Sequence, residues 1–427
     1  MTMTETVWRQ VREQLGDRGT FEVLVGIPTF NHAKTVGPVI TAIKAGLGKI
    51  CPSASVLVVN ADAGSQDGTP ELIKQAAGPE YPTAFVQHLT GGGLPRPISL
   101  HALSESGVPG REHAFRAFFT VAGALEVKAC IVVDANVRSL TPDWMDILLR
   151  PVIEKGVDYV APLFRRAKYE GSLTNCIIYP LSRALYGKRM RYQTGGGYGF
   201  SGKLSSLYLA ANVWEGEAAR YGIDSWLTTV AVAEGCEVSQ GFLGTKICDA
   251  TLTGIDLSVL LAQAVGAVFH MMETYQDVWE GKRGSTPVPQ FGPPYEQGSE
   301  GGPVNVERMV KGFQQGLRDL LPIWEIILAP ETLEGILSLG LAEAEEFRFP
   351  AALWVQTIYD FALAYHEKAL HRDHLLKSLT PLYLGRTASF VLETREGSPD
   401  DVERVIETLC ETFENMKPYL TQRWRFS

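Results

Sequence analysis

Several stretches of this sequence combine residue types that do chemistry with an abrupt change of polarity or a turn. In CIVVDANVRSLTPDW, Cys130 to Trp144, the apolar Ile131–Val133 run stops at Asp134, and Asn136 follows two positions on. A carboxylate and an amide oxygen are both hard donors for a divalent cation. In VNADAGSQDGT, Asn60 to Thr69, Asp62 ends an apolar run before Gly-Ser-x-Asp-Gly-Thr. Those acceptors can hold a nucleoside, or form a plain strand-to-helix turn with a cap. GREHAFRAF begins a helical pattern at Arg111, whose guanidinium can neutralise a diphosphate bidentately. The glycines of YQTGGGYGFSG let backbone N–H groups approach a sugar or phosphate closely. Asp224, near the start of GIDSWLTTVAVAEG, is either an acceptor for hydroxyls or a helix N-cap.

Other chemistries lack their residues. No Ser/His/Asp order or nucleophile elbow stands out, since GFSGK has the wrong spacing. His32, His88, His101 and His113 have no metal-ligand spacing with one another and read as ordinary loop or surface residues. The six cysteines are scattered without a CxxC pair, as expected of reduced thiols in a cytoplasmic protein. The net charge of −9 and the lack of a long basic run argue against nucleic-acid binding, so an anionic small substrate needs a local basic cluster. The polar amphipathic start, MTMTETVWRQVREQLGDRG, is not a signal peptide. No uninterrupted apolar run approaches the roughly 20 residues of a bilayer span, which points to a soluble chain.

The elements that must position these groups are legible from Phe21 onward. FEVLVGIPTF, ASVLVVNADAG, TAFVQHL, ACIVVDAN and DYVAPLFRR read as strands. HAKTVGPVITAIKAGL, SQDGTPELIKQAA (capped by Ser65 or Asp67, with Pro70 in its first turn) and REHAFRAFFTVAGALEV read as the helices between them. Such alternation predicts an α/β fold: a Rossmann-like, mostly parallel sheet flanked by helices. Ligands then bind beyond the carboxyl ends of the strands, where Pro28–Asn31, Asp62 and Asp134 fall. SLTNCIIYPLSRALYG reads as a helix, YQTGGGYGFSG as a loop and GIDSWLTTVAVAEG as a helix. Gly281 to Asn305 is rich in breakers, and from Val306 on the pattern is helical, with SPDDVERVIETLCETFENM the best capped. Aromatics of ALWVQTIYDFALAYHEKAL recur at helical spacing, as in a core or a dimer surface. The expected division is an N-terminal helix (1–20), a catalytic domain (21–260), a helix and Gly/Pro-rich linker (261–305) and a helical C-terminal region (306–427).

GIPTFN and VNADAGSQDGT together resemble the nucleotide-binding start of the GT-A glycosyltransferases, I-P-x-Y/L-N and D-x-G-S-x-D-G-T. Downstream the chain resembles retaining members of the mannosylglycerate synthase and glucosyl-3-phosphoglycerate synthase type, over roughly residues 21 to 260. Arg111 stands where that family has the lysine of Gly-Lys-Gly, and PLFRR, with Arg165 and Arg166, resembles its Y/F-x-R segment. GSLTN resembles the acceptor loop G-R-V-T-E, so Thr174 matches the threonine that grips glycerate, while Ser172 replaces the phosphate-binding arginine. YQTGGGYGFSG resembles Q-P-L-G-G-E-Y, with Gln193, Gly196 and Gly197 matching and Tyr198 in place of the glutamate. YGIDSWL matches W-G-I-D of the mannosylglycerate enzymes at Asp224.

The resemblance implies a GT-A fold and transfer of a hexose from a nucleotide diphosphate sugar to a small hydroxy acid such as D-glycerate. It implies donor contacts from Pro28, Thr29, Asn31, Asp62, Arg111, Gln193, Gly196, Gly197 and Lys246. Arg165, Thr174 and Asp224 would hold the acceptor, and Asp134, Arg111 and Asp224 would do the catalytic work. The loss of the arginine at Ser172 favours an unphosphorylated acceptor, unless Lys168 or Arg189 substitutes. Mg²⁺ or Mn²⁺ would rest on Asp134, on Asn136 where the family has a second aspartate, and on Cys248 where it has a histidine, or on Asp249 beside it. Lys246 and Arg111 offer a metal-free alternative. A glycoside phosphorylase, a transferase with another acceptor and a non-catalytic sugar-nucleotide scaffold are the other readings. A homodimer or larger assembly would form through the C-terminal helices.

Overall fold

The computed structural model describes residues 2–88, 107–191, 195–211, 214, 217–249, 256–296, 298 and 304–425, the side chains of 217–221 excepted. Among them lie ten strands: β1 (Val23–Thr29), β2 (Val56–Asp62), β3 (Thr83–Gln87), β4 (Ala129–Val133), β5 (Tyr159–Arg165), β6 (Lys188–Arg189), β7 (Gly197–Ser201), β8 (Val238–Thr245), β9 (Thr286–Pro287) and β10 (Gln290–Phe291). Two compact units divide the chain. The first comprises Met1–Arg165, Gln193–Ile255 and Val288–Tyr295; the second comprises Arg166–Tyr192, Asp256–Pro287 and Glu296–Ser427. This differs from the contiguous division expected: Arg166–Tyr192 joins the later helices, and Val288–Tyr295 returns to the first unit to supply an edge strand.

The first unit is built on an eight-stranded sheet of order β10-β8-β5-β7-β4-β1-β2-β3. All neighbours pair in parallel except β7, which runs antiparallel to both β4 and β5. It is the mixed, mostly parallel sheet flanked by helices expected of a GT-A fold. β1, β2 and β4 are buried along their whole length, as their unbroken Val/Ile/Leu runs require in a sheet covered on both faces. One face packs on the helices Val36–Ile50 and Asp143–Lys155 through Val25, Ile27, Ile40, Ile43, Met145 and Leu148. Against the other lies the helix Arg111–Ala124, whose Phe119 stacks on Tyr208 at 4.9 Å and meets Phe200 edge-on at 5.1 Å.

The expected glycine-rich loop is partly a strand. From Gly197 the chain pairs with β4, Gly197 opposite Val133 and Phe200 opposite Cys130. Glycine at every second position disguises it, because a strand interior ordinarily carries side chains on both faces. Here Leu148 lies against the backbone: a Cβ on Gly199 would come within 2.1 Å of its carbonyl oxygen. Tyr198 and Phe200 fill the opposite face, both fully buried.

The second unit is helical, with Leu257–Thr274, Val306–Asp319, Ala351–His366, Thr380–Thr394 and Pro399–Trp424 as its long helices. The last begins with the expected cap: the Ser398 hydroxyl accepts the Asp401 N–H while the Asp401 carboxylate accepts the Ser398 N–H. Helix Leu257–Thr274 is long and apolar enough, with mean hydropathy 1.3, to pass a membrane-span test by length and composition, and half of it is buried within the fold. In the segment read as one helix, Thr174–Ile178 forms a π-helical turn ahead of the α-helix Tyr179–Tyr186.

Candidate active site

In a sheet of this kind the carboxyl ends of the parallel strands form one rim. Because β7 runs antiparallel, its first residues reach the same rim, and Asp134 N–H donates to the Gly196 carbonyl at 3.0 Å. Gly196 has φ +90°, and a Cβ there would press to 2.6 Å from the Phe164 ring. This position admits only glycine. Its own N–H donates to Asp134 Oδ2 at 2.7 Å.

Arg111, the first residue of its helix, lies against the same carboxylate. One guanidinium nitrogen donates to Asp134 Oδ1 at 2.7 Å and the other to Asp224 Oδ1 at 2.5 Å. Arg111 is 3% exposed and packs over the rings of Phe115 at 5.0 Å and Tyr198 at 5.9 Å. Its Nε–H has no acceptor among the described residues. The Tyr198 hydroxyl donates to Asp224 Oδ1 and accepts the Gly195 N–H. Asp224 lies in the helix Glu217–Ala233, two residues past a break at Gly222 (φ −140°, ψ 34°). It is therefore not the N-cap. Its Oδ2 takes no hydrogen bond among the described residues.

Burial opposes ionisation of Asp134, but the Arg111 and Lys246 charges and the Gly196 N–H outweigh it and hold its carboxyl below the usual range. Burial likewise opposes the Arg111 cation, and Asp134 with Asp224 overcomes that, so the guanidinium stays charged. Burial, then the Asp224 charge, pushes the Tyr198 phenol well up, fixing it as a donor.

The turn after β2 is self-contained. Asp62 Oδ1 accepts the Gly64 and Ser65 N–H groups at 2.8 and 2.7 Å, and Oδ2 accepts the Thr29 and Ser65 hydroxyls at 2.7 and 2.6 Å. All four acceptor positions of the carboxylate are taken, so Asp62 builds the loop and has none left for a nucleoside. Asn31 (φ 55°) ties the β1 turn to it, donating its N–H to Ser65 Oγ and accepting the Gln66 N–H. The helix after this turn is capped by Gly68 and not by Ser65 or Asp67; Asp67 instead accepts the Thr69 and Ala33 N–H groups. Pro28 and Thr29 end β1, opposite Ala61 and Asp62.

The metal set expected from the sequence does not assemble. Both Asp134 oxygens are engaged, and Asp249 pairs with Arg138 at 3.3 Å near the surface. Cys248 faces Val137 in an isolated bridge, and the Asp249 N–H donates to the Asn136 carbonyl. Among the described residues no three His, Cys, Asp or Glu side chains are grouped to hold a metal. These donors, as arranged, do not fit a divalent ion. Gly196 and Gly197 also spend their N–H groups internally, on Asp134 and on the Gly195 carbonyl. Arg165 is half-buried at the end of β5, opposite Thr245, and Lys246 lies over the Phe164 ring at 5.7 Å. Gln193 and His101 lie outside the described residues. His32 and His88 lie in loops, as one of the two readings had it, but are buried and not at the surface: the His32 N–H donates to Thr69, and His88 Nε2 meets the Pro109 carbonyl at 3.1 Å.

In the second unit, half-buried Thr174 opens the π-helical turn, and Ser172 shares a hydrogen bond with the Tyr383 hydroxyl at 2.5 Å. Lys168 donates to the Arg395 and Gly397 carbonyls at 3.0 Å each, buried Arg166 pairs with Glu170 at 3.4 Å, and Arg189 donates to Ser285. Sequence reasoning registered Tyr198 only as a lost glutamate. Its hydroxyl in fact orients Asp224, and the aromatic directly after three glycines was the available signal.

The sheet and its rim define an α/β chain of GT-A architecture with an ion-paired polar cluster. No family model matches the chain, and neither does any curated protein. Among solved structures it is similar to glucosyl-3-phosphoglycerate synthase from Mycobacterium tuberculosis in complex with Mn²⁺, uridine diphosphate and glucosyl-3-phosphoglycerate. That likeness has 17% identity and TM-score 0.43, over 63% of this chain and 84% of that one. The same synthase with Mg²⁺ and uridine diphosphate gives 16% and 0.42, over 63% and 83%. A further mycobacterial protein gives 18% and 0.42, over 65% and 79%.

Proposed function

We propose that the chain transfers a hexose, with retention, from a nucleoside diphosphate to a small unphosphorylated hydroxy acid, D-glycerate or a close relative, in the cytoplasm. The observation that carries this reading is the meeting of Arg111, Asp134, Asp224 and the Gly196 N–H at one strand rim, drawn from four separate segments. A fold has no need to bury such a cluster for stability alone, since well-packed apolar groups serve as well. The Arg111 Nε–H and Lys246 offer positive groups to a leaving diphosphate. Asp224 Oδ2 offers an acceptor to a sugar or glycerate hydroxyl.

Asp134, clamped and acidic, is a poor base. That suits a reaction in which the leaving diphosphate oxygen takes the acceptor's proton while the new bond forms on the same face. Catalysis then rests on positioning and on charge neutralisation. Ser172 supplies no positive charge where the resemblance has a phosphate-binding arginine, and Lys168 gives two of its three donors to the Arg395 and Gly397 carbonyls. This favours an acceptor without a phosphate.

A thermal-shift panel of uridine and guanosine diphosphates, their hexose conjugates and inorganic phosphate tests the reading. At 100-fold excess over Kd a ligand of the native state stabilises it by about 2.7 kcal/mol. Stabilisation by a nucleoside diphosphate, with glycoside formed from the conjugate and D-glycerate, is the expected result. Response to phosphate alone would indicate a phosphorylase, and no response would leave the chain a scaffold.

A further inference from the structure

Three departures from the family pattern bear on the same expected metal. Where the resemblance calls for a second aspartate there is Asn136, where it calls for histidine there is Cys248, and where it calls for lysine there is Arg111. The first two changes weaken a site for Mg²⁺ or Mn²⁺, since an amide and a thiol replace an acid and an imidazole. The third installs a planar fork that bonds two carboxylates at once, as one compact ammonium does less well.

Arg111 uses that fork on Asp134 Oδ1 at 2.7 Å and Asp224 Oδ1 at 2.5 Å, almost wholly out of water. Asp134 is the one carboxylate of the expected metal set that faces this cluster. A divalent ion on Asp134 would meet the guanidinium at Oδ1 and the Gly196 N–H at Oδ2, and would be repelled by the fixed charge of the former. Lys246 adds a second positive charge acting on the same carboxylate. The ring faces of Phe115 and Tyr198 keep the guanidinium in place.

We propose that Arg111, as a fixed part of the chain, supplies to Asp134 the positive charge that a divalent cation on the expected metal set would supply, so that a nucleoside diphosphate binds here without metal. The binding half rests on the diphosphate reading above; the cation half does not. Removing the guanidinium exposes two facing carboxylates, a latent site for a hard divalent ion.

Two measurements on the full chain decide it. Mn²⁺ is titrated into the native protein and into Arg111→Ala, with the electron paramagnetic resonance signal of free Mn²⁺ as readout. The native protein should take up no stoichiometric Mn²⁺, and Arg111→Ala should bind one equivalent at least about tenfold more tightly, lost again in Arg111→Ala/Asp134→Asn. If Arg111→Ala alone does not fold, Arg111→Ala/Asp224→Asn, with one buried charge fewer, is compared with the native protein. It should bind Mn²⁺ more tightly, by a smaller factor. Stoichiometric Mn²⁺ on the native protein, or no gain on removing the guanidinium, overturns the proposal. Separately, uridine diphosphate should raise the native Tm equally in EDTA and in Mn²⁺. A shift seen only with Mn²⁺ overturns the proposal and leaves the transferase reading standing. A shift in neither condition defeats the transferase reading, while the Mn²⁺ titration still judges the cation half.

Discussion

Arg111 and Asp134 should be strongly coupled in a double-mutant cycle, and the structure sets the size of the effect. Arg111→Met keeps much of the packing against Phe115 and removes the charge that bonds both Asp134 and Asp224, leaving only the more distant Lys246 to act on Asp134. Breaking a buried pair in this way costs about 3–5 kcal/mol. For a unit of 150–250 residues that lowers Tm by about 2–4 °C per kcal/mol. Asp134→Asn is milder: its amide oxygen still accepts from Gly196 or Arg111, and Asp224 still faces the guanidinium, so about 1–3 kcal/mol is lost. In the double variant only Asp224 remains charged, with its side chain 18% exposed and reachable by water. The two losses should therefore fall short of additivity by about 1.5–3 kcal/mol. Urea unfolding of the full chain at pH 7, followed by near-UV circular dichroism, measures it. Because the Asp134 pKa is depressed in the folded state, its stabilising contribution is present above the ordinary carboxylate pKa and is lost as pH falls through the lowered value. The coupling should thus fade in acid below about pH 4. Additivity within about 0.5 kcal/mol at pH 7 would refute the shared contact.

His88 gives a second pH dependence. Burial holds its imidazole neutral, with the pKa pushed down from 6.5 to about 4. The unfolded chain binds the proton first as pH falls, so stability is fully present above pH 6.5 and declines by about 3 kcal/mol as pH drops to about 4. His88→Gln should flatten that limb of the urea-midpoint profile, and an unchanged slope would assign the decline to other groups. Gly196→Ala combines a left-handed backbone with a Cβ 2.6 Å from Phe164. It should cost about 2–4 kcal/mol in thermal unfolding and weaken nucleoside diphosphate binding through Asp134. If Tm and binding match the native protein, the rim is not held by this glycine.

The sheet was legible because β1, β2 and β4 are uninterrupted apolar runs ending in polar residues, a pattern only a doubly covered parallel strand produces. β7 was not, because Gly197 and Gly199 remove the side chains by which a strand is recognised, and the reason lies in Leu148, some fifty residues away in sequence. His32 and His88 read as loop or surface residues, and their burial was not legible because their partners Thr69 and Pro109 lie 37 and 21 positions away. Asp62 was correctly put at a strand end, but its acceptors are consumed by Thr29, Gly64 and Ser65, a local accounting that composition does not reveal. The metal set failed for a related reason. Hard donors close in sequence suggest a cation, and here the cation that answers Asp134 arrives on a side chain 23 positions earlier.

An arginine at position 111, where the resemblance has a lysine, has the same charge and a different geometry, and that geometry bears on what the rim can do. A single ammonium bound to Asp134 would leave Asp224, on a different helix, to find its own partner. The two-pronged guanidinium joins both carboxylates, and Tyr198 fastens the second one by the same oxygen that Arg111 uses. Asp224 Oδ2 then has no hydrogen bond among the described residues. Such an oxygen can accept from a hydroxyl. On the proposed reading, the arrangement that does without a metal also leaves a hydrogen-bonding edge, which fits a reaction that proceeds by placement, with the leaving group as its own base.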